Sequence, residues 1–476
     1  MKKITLLLVS SLLITTVFGQ EAWTLQKCID HAFQHNIQIK QSELNLATAG
    51  INKEANVGTM LPSLNASATH GYNWGQTIDQ FTNQFATSRI QSNNIGISTG
   101  MTLFNGFQNL NRVRQSNVDV EVNQANLEKM QNDIALNVAN AFLNVLFQEE
   151  LLKIAVSNAD NTAEQVKRIQ DLVDAGAAAR SSLLDIQAQY ATDQASLVQS
   201  ENNLMLAYLS LRQLLLIPSS EAANFKISAP NLEEFSDIKL PSSPESAIAH
   251  AQSSFPEVKS AKATLERSQM GISIAKGAMS PRLGVSYSYG SGYSGAYRIP
   301  VGEPIIGSAT PIGYVEGTGD LVVTPTFSYA DYQVKGFGDQ IRDNKNSSLF
   351  FSLTMPLFNG FSTKTNIARA EITQRNAEYN LELTQQQLRQ SIESAYADAV
   401  AADKSYRAAE TSAEAAELSL DFAKIRFEEG ASNAVDYTAA RVRLDNAKAN
   451  FIRSKYDYIF KVKVVEFYMG QPITFR

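Results

Sequence analysis

The chain has 476 residues, 18% of them charged, with a formal net charge of −6 and a single cysteine, Cys28. A mildly acidic balance without a basic block makes nucleic acid a poor candidate partner, and one cysteine cannot form an internal disulfide. The length alone would indicate roughly two to four domains, unless the sequence repeats itself.

The first twenty residues, "MKKITLLLVSSLLITTVFGQ", combine two lysines, an apolar run and small residues near position 19. This layout predicts a cleavable signal peptide over residues 1–19 and a mature start near Gln20. After residue 20 no run approaches the roughly 18 apolar residues that a membrane-spanning helix needs. The mature chain is therefore expected either to be soluble or to cross a membrane as strands.

A five-residue motif occurs twice. "LFNGF" begins at Leu103 and again at Leu357, 254 positions apart (357 − 103), and the same offset superposes Gly176 on Gly430 without a gap. Upstream, an offset of 219 superposes "GTMLPSL" at Gly58 on "GAMSPRL" further along the chain. Each copy then reads as helix, strand, loop, strand, "LFNGF", long helix, glycine turn and helix, which predicts an internal duplication.

The two offsets define the expected domain organisation. The first repeat covers residues 20–218, a linker or equatorial segment covers 219–243, and the second repeat covers 244–476. The difference between the offsets, 35 residues (254 − 219), is a net insertion in the second repeat. Its glycine, proline and tyrosine content predicts one long surface loop at about 290–347, since loops absorb insertions most easily.

Four segments alternate apolar with small polar residues, and they cover about 64–74, 94–103, 283–290 and 348–357. Strict alternation indicates strands, and each has roughly the 9–11 residues that a tilted strand needs to cross a bilayer. A soluble sandwich is the alternative. Two residues do not fit a lipid-facing apolar side and a water-facing polar side: His70 lies on the apolar face of its strand and Phe350 on the polar face of its strand. Because about eight strands are the smallest number that enclose a filled interior, several chains would have to share one barrel.

Two stretches without proline, Phe107 to about Ala175 and Phe361 to Glu429, predict long helices. At 1.5 Å per residue each would run roughly 100 Å, and their apolar residues recur at coiled-coil spacing. Shorter helices are expected at about 24–57 and 178–216. Stacked end to end, these two would match one long helix and form a rod-like wall beside it.

This order of elements, with "RFEEGASNAVDYTAARVRLDNAKANF" in the second repeat and "MGQPI" near the end, resembles the TolC family of outer-membrane efflux proteins over essentially the whole mature chain. The resemblance implies a mixed α and β membrane protein: a long α-helical coiled-coil tunnel and a transmembrane antiparallel β-barrel of twelve strands, shared by a homotrimer with four strands per chain. It also implies an outer-membrane location with a periplasmic extension in a Gram-negative bacterium.

The function implied by the resemblance is that of an exit duct in a tripartite efflux system, which passively conducts small molecules. Its implied partners are a periplasmic adaptor (membrane fusion protein), an inner-membrane transporter and outer-membrane lipid. The exit duct of a type I protein secretion system is the alternative. A structural or adhesive trimeric stalk is less well supported, because a stalk does not need duplicated strands with a polar face.

The sequence offers little for catalysis, and we expect no enzyme activity, no cofactor and no metal site. "GSGYSG" at Gly290 matches a dinucleotide-binding pattern, but two prolines follow where a helix should open. The histidines lack carboxylate or cysteine companions at metal-ligand spacing, although His31 and His35 share a helix face. A solvated pair is the simpler interpretation.

Three groups of candidate site residues follow from the repeat. The barrel-to-tunnel turns are expected at Asn105, Gly106, Asn359 and Gly360. The helix turns at the periplasmic tip of the tunnel are expected at Gly176 and Gly430, because glycine suits the left-handed backbone of such turns. The candidate constriction residues are the acidic side chains around the helix turns: Asp436, Asp185, Asp174, Glu428 and Glu429.

We expect Asp436 to line a cation-sensitive constriction. It matches the first of two aspartates in the tunnel-entrance pattern of the family it resembles, but Ala439 occupies the second position and Ser432 that of an arginine. The latch of the family therefore cannot be carried over whole. In a trimer each carboxylate would recur three times around the axis, and like charges at a narrow opening attract cations. Solvated acids on an exposed tip are the alternative.

Overall fold

The computed structural model describes residues 22–86, 89–229, 240, 243–432 and 434–473. The expected signal peptide and most of the inter-repeat linker lie outside the described residues, so both stay predictions. The chain divides into two compact units. The helical unit holds the described residues of Met1–Ala49, Val118–Glu266 and Arg375–Arg476, and the strand unit holds those of Gly50–Asn117 and Arg267–Gln374.

The α-helices of the described chain are α1 (Leu25–His35), α2 (Ile37–Gly58), α3 (Gln108–Asp174), α4 (Arg180–Leu215), α5 (Glu245–Ser254), α6 (Pro256–Gly277), α7 (Phe337–Asp343), α8 (Ser362–Glu428) and α9 (Ala434–Tyr468). Helices α3 and α8 have 67 residues each, which confirms the two long helices predicted from the absence of proline and glycine. Among the described residues, no helix combines the length and apolar character needed to cross a membrane.

The prediction of one helix over about 24–57 is wrong, because the chain breaks at Asn36 between α1 and α2. Asn36 is extended, with φ −62° and ψ 129°. Its side-chain oxygen accepts hydrogen bonds from the N–H groups of Gln38 (2.8 Å) and Ile39 (3.4 Å), which caps the start of α2. The second repeat breaks at the equivalent Phe255, and Pro256 starts α6, a position that suits proline.

The core of the helical unit repeats along the chain with the offsets of the sequence. Helix α1 buries Cys28, Ile29 and Ala32, and α5 buries their equivalents at the offset of 219: Ala247, Ile248 and Ala251. The first set clusters with Val138 of α3 and the second with Ile392 of α8, which are themselves 254 positions apart. Burial raises the pKa of the Cys28 thiol to about 12, so this cysteine is a core residue with little thiolate at neutral pH.

The strand unit contains a four-stranded antiparallel sheet in the order β1-β4-β5-β10, with strands β1 (Ser63–Asn73), β4 (Ile90–Phe104), β5 (Arg282–Ser294) and β10 (Asn346–Thr354). The two hairpins have one register: Leu64 pairs with Thr99 in the first, and Leu283 pairs with Leu353 in the second. These four strands confirm the predicted alternation. The last strand ends before the expected Leu357, since Pro356 has no N–H for a ladder.

Short ladders stand between these strands: β2 (Thr77–Ile78) with β3 (Phe85–Ala86), β6 (Arg298–Val301) with β9 (Asp331–Val334), and β7 (Ile305–Tyr314) with β8 (Leu321–Ser328). The expectation of a single long loop at about 290–347 is therefore wrong. Two nested antiparallel pairs and α7 occupy that segment. Gly302, Gly317 and Gly319 lie between these strands, with φ between 76° and 101°, and β-branched residues occupy many positions of the strands themselves.

Candidate functional site

The two turns that join a strand to a long helix have the same backbone. Gly106 and Phe107 have φ of 65° and 61°, and Gly360 and Phe361 have φ of 62° and 64°. A left-handed conformation is ordinary for glycine but costs roughly 1–2 kcal/mol for other residues. The phenylalanine that follows each glycine is thus held in an unfavourable conformation, and this happens in both repeats.

Each asparagine before these glycines bonds a residue in the first turn of the helix that follows. Asn105 donates from Nδ2 to Asn109 Oδ1 (2.9 Å), and its Oδ1 accepts from the Asn109 N–H (3.3 Å). Asn359 donates from Nδ2 to Thr363 Oγ1 (2.5 Å). The "NG" pair therefore turns the chain in both repeats, and at the first turn Asn105 also caps α3 by accepting from a backbone N–H at the helix start.

The two turns differ in what surrounds them. A Cβ atom added to Gly106 would lie 2.2 Å from the carbonyl oxygen of Gly277, and one added to Gly277 would lie 2.4 Å from that of Gly106. At their equivalents, Gly360 and Gly58, an added Cβ atom would meet no atom of the described chain within 4 Å. The turn of the first repeat therefore has a tight glycine contact with the second repeat, and the turn of the second repeat has no equivalent contact among the described residues.

The helix turns at Gly176 and Gly430 also match each other, with φ of 74° at both. In the first, Gly176 N–H donates to Val173 O (2.9 Å), and the following residue donates to Leu172 O (2.8 Å). In the second, Gly430 N–H donates to Phe427 O (3.1 Å), with the following donor reaching Arg426 O (2.7 Å). This is the Schellman pattern of bonds, in which a left-handed glycine ends a helix.

The five candidate constriction carboxylates, Asp174, Asp185, Glu428, Glu429 and Asp436, are all exposed. Asp174 and Glu428 end α3 and α8, and Asp174 accepts a hydrogen bond from Gln170 (2.9 Å). Asp436 lies in the first turn of α9, where the helix dipole favours a negative charge. Their position around the two turns is that expected from the sequence, and their part in a gate stays a prediction.

Both turns border one cleft of about 550 Å³, whose lining includes Ala177 and Ala178 from one turn and Glu428, Gly430 and Ser432 from the other. Arg168 and Lys424 line the same cleft, so cationic side chains accompany the acidic ones. The cleft wall also contains a stacked pair, Phe427 and Tyr437, with ring centroids 5.5 Å apart. Of the expected carboxylates, only Glu428 is part of this lining.

A buried arginine cluster next to these turns was not predicted. The guanidinium of Arg441 on α9, with only 9% of its side chain exposed, donates to Thr162 Oγ1 (2.7 Å) and to the Asn158 carbonyl oxygen (2.5 Å), both on α3. It also lies 4.0 Å from a carboxylate oxygen of Asp193 on α4. Thr162 in turn donates to Asp193. Three helices, two from the first repeat and one from the second, thus meet at one charge.

A second carboxylate, Asp445, lies one turn along α9 from Arg441. Burial raises its pKa above the usual range, and the nearby Arg441 partly counteracts that rise. The duplication does not reproduce this cluster at the equivalent positions. At the offset of 254, Gln187 stands for Arg441, Ala416 for Thr162 and Ala447 for Asp193.

Comparison with known families gives a match over most of the chain. The sequence model of the family described as outer membrane efflux protein matches residues 28–215 and 247–471. Two similar proteins are the outer membrane efflux protein BepC of Brucella suis, 21% identical over 94% of this chain and 85% of its own length, and the outer membrane protein TolC of Vibrio cholerae, 22% identical over 97% and 94%.

Solved structures show the same fold. The CmeC outer membrane channel of Campylobacter jejuni superposes with a TM-score of 0.74 at 17% identity, covering 94% of this chain and 85% of that one. The outer membrane protein VceC of Vibrio cholerae superposes with a TM-score of 0.72 at 15% identity, covering 94% and 96%. The mixed α and β fold expected from the sequence is therefore confirmed.

Proposed function

Because the chain belongs to the outer membrane efflux protein family, we propose that it is the exit duct of a tripartite efflux system, conducting small molecules passively to the cell exterior. It is an outer-membrane protein, and its relatives are efflux and channel proteins rather than enzymes. The observation that carries the proposal is the duplicated strand pair with an exposed apolar face, each pair leading into a 67-residue helix. A periplasmic adaptor and an inner-membrane transporter would supply the substrate.

We propose a homotrimer, as the family resemblance implies, and the open edges of the sheet support assembly from several copies. Strands β1 and β10 are its two edges, and four strands cannot enclose a barrel interior, for which about eight are the minimum. Three copies would give twelve strands and leave no edge. Native mass spectrometry in detergent should find three copies, and a stable monomer would contradict this assembly.

Single-channel conductance in a planar bilayer tests the duct itself. Purified trimers are expected to produce discrete current steps, because their interior would be open to water and ions. A structural or adhesive stalk would give none. Pull-down of the tagged trimer then identifies the system it serves. A resistance-type pump in the eluate supports efflux, whereas an exporter of polypeptides would support the alternative function in protein secretion.

The tip carboxylates are proposed to form the narrow opening of the duct, with Asp436 as the principal lining residue. Three copies would bring three Asp436 side chains around one axis, and such a ring attracts cations. We expect a divalent or trivalent cation on the periplasmic side to block wild-type trimers and to block Asp436→Ala trimers much less. The control is Asp320→Ala, in the turn between β7 and β8. Unchanged block in Asp436→Ala would place the cation site elsewhere.

The insertion of the second repeat is proposed to face the cell exterior, because it joins the strand ends that do not lead into long helices. Thr318 lies in the turn between β7 and β8. A cysteine at this position should react with an impermeant biotin reagent on intact cells, while the buried Cys28 should not. Labelling only after the outer membrane is broken would contradict this topology.

A further inference from the structure

We propose that Phe81, in the turn between β2 and β3, narrows the duct near its outer end and limits the width of the solutes that pass, with Asp79 as the positioning residue that holds the ring in place. This rests on the proposed function, in which the apolar face of the sheet meets lipid and the polar face lines the lumen.

The ring of Phe81 lies over the polar face of the four-stranded sheet. A Cβ atom added to Gly292 of β5 would collide with the far end of this ring and would lie 2.8 Å from Oδ1 of Asn94. Gly292 pairs with Asn94 of β4, and directly opposite residues share one face of a sheet. Asn94 belongs to the small polar set of its strand, together with Gly96 and Ser98. Phe81 therefore covers the face that the proposed duct turns toward its lumen.

The turn and the sheet enclose a cavity of about 450 Å³. Its lining takes residues from all four strands, among them Ser67 of β1, Ser98 of β4, Ser288 of β5 and Asn346 of β10, and Phe81 stands over them. The ring thus occupies space in front of the whole polar face. In a barrel with this face inside, each copy would narrow the lumen at the same height.

A buried carboxylate fixes the shape of the turn. Asp79 is 5% exposed, and its Oδ1 accepts hydrogen bonds from the N–H groups of Phe81 (3.1 Å) and Thr82 (2.8 Å), as in an Asx turn. Its Oδ2 accepts from the hydroxyl of Ser294 in β5. One side chain therefore connects the backbone beside the ring to a strand of the sheet.

Gln340 of α7 completes this attachment from the other side. Its Oε1 accepts from the N–H of Ser294 (2.9 Å), and its Nε2 donates to the carbonyl oxygens of Ser294 (2.9 Å) and Lys335 (2.8 Å). Ser294 and Gln340 are fully buried, and a buried polar group is costly to leave without its partner. The turn is therefore a fixed part of the strand unit and not a lid that swings open.

The chemistry of the cavity lining indicates selection by size. Its polar side chains carry hydroxyl and amide groups, and the part of the lining that the described chain forms holds no ionised group. Rings of charged side chains are what make a pore favour one sign of ion. The free width beside Phe81 thus decides what passes here, whereas the proposed opening at Asp436 would act on charge.

A cysteine behind the ring measures the opening, in a chain whose Cys28 is replaced by alanine. Ser98→Cys is on the polar face, four residues along β4 from Asn94 toward α3. Intact cells are treated with a small maleimide or with maleimides that carry polyethylene glycol of increasing size. Phe81→Ala should raise the labelling rate of the large reagents several-fold and leave that of the small reagent unchanged. Phe81→Trp should lower the rate of the large reagents.

Phe337→Ala is the matched control. Phe337 lies against Tyr293, with ring centroids 5.5 Å apart, and Tyr293 points to the face of β5 opposite that of Gly292. This variant should leave the rate of every reagent unchanged. Asp79→Ala should release the ring and act like Phe81→Ala, while Asp79→Asn should keep the wild-type rates, because its amide oxygen still accepts from the two N–H groups.

The outcomes separate this inference from the proposed function, with Thr318→Cys reporting the amount of protein at the cell surface. Equal rates of the large reagents in wild type and Phe81→Ala, with the small reagent reacting in both, would overturn the constriction and leave the duct intact. A small reagent that labels Thr318→Cys but never Ser98→Cys would show that the polar face lines no lumen open to the exterior, and the proposed duct would fail as well.

Discussion

The turn after β4 and the turn after β10 have the same sequence and nearly the same backbone, but their surroundings differ. Gly106 is covered by Gly277 of the same chain, whereas Gly360 is open. At these two turns the duplication is therefore retained in sequence and backbone, while only the first of them is packed against another part of the described chain. Because Gly277 covers Gly106 within the chain, a similar contact from another molecule is what the exposed turn at Gly360 could accommodate.

The two helix hairpins also agree in backbone and differ in their contacts. Their glycine turns agree in backbone and hydrogen bonding, but only one arrangement carries a buried arginine. Arg441 connects α9 to α3 and α4, and Gln187, its equivalent on α4, is exposed. The contact of α9 with α3 and α4 thus includes a buried charge, and small or neutral residues occupy the equivalent positions at the offset of 254.

Removal of the arginine should have the largest effect. Arg441→Ala removes a buried guanidinium with its two hydrogen bonds to α3 and leaves Asp193, whose side chain is 14% exposed, without its cation; loss of one partner of a buried pair typically costs about 3–5 kcal/mol. We expect the free energy of unfolding, followed by the helical circular dichroism signal in denaturant, to fall by that order. Gln187→Ala should change it by less than about 0.5 kcal/mol, as is usual for surface sites. A similar decrease in the free energy of unfolding in both variants would contradict the special role of the arginine in these helix contacts.

Alanine at the covered turn comes next. Gly106→Ala combines a left-handed backbone, costing roughly 1–2 kcal/mol, with overpacking of roughly 1–3 kcal/mol against Gly277 O. Unfolding of detergent-dissociated monomers should detect this whole loss, about 3 kcal/mol. In the same monomers Gly360→Ala should show only the backbone part, because its surroundings are open. A loss at Gly360 as large as at Gly106 would contradict the difference between the turns.

The tip glycines should behave alike. Gly176 and Gly430 share φ of 74° and open surroundings, so alanine at either adds only the strain of a left-handed residue, roughly 1–2 kcal/mol. Amide hydrogen exchange should report faster opening of the last turns of α3 or α8, and the change should be equal in the two variants. A clear inequality would mean that the exposed carboxylates around one turn add a further constraint.

The smallest effect is expected from Asp445. Its pKa is raised in the folded chain, chiefly by burial, so the protonated form is favoured there. Its contribution to stability is therefore present below the pKa of the unfolded chain, near 3.9, and is lost as pH rises through the raised value. Asp445→Asn should flatten the pH dependence of unfolding in that window and keep or increase stability at neutral pH. A steeper fall of stability with pH in the variant would contradict this sign.

The sequence predicted the features that depend on local chemistry. The helix ends at Gly176 and Gly430 were predictable because glycine is needed there, and the strands because alternation places one face in each environment. The break at Asn36 was missed, because neither glycine nor proline marks it and asparagine is a weaker signal of a helix end than either. The ladders of β6 to β9 were missed because their glycines and prolines resemble loop sequence.

The arginine cluster could not be predicted for a different reason. Arg441, Thr162 and Asp193 are far apart in sequence, and each on its own looks like an ordinary polar residue of a helix. Only comparison of the repeats gives a signal: Ala416 and Ala447 stand where Thr162 and Asp193 carry polar groups. The five carboxylates near Gly176 and Gly430 are exposed, and their part in a gate stays a prediction, because any ring of them around an axis would need further copies of the chain.

The pairing of β4 with β5 has a consequence for the order in which the protein is made. Strands β1 and β4 are close in sequence and can form their hairpin early, whereas Ser92 must wait for Ser294, in the opposite half of the chain. Contacts between distant residues slow folding, and meanwhile the edge of β4 is a template for any passing strand. We therefore expect a chain with only its first hairpin formed to pair readily with other strands until its second hairpin covers the edge of β4.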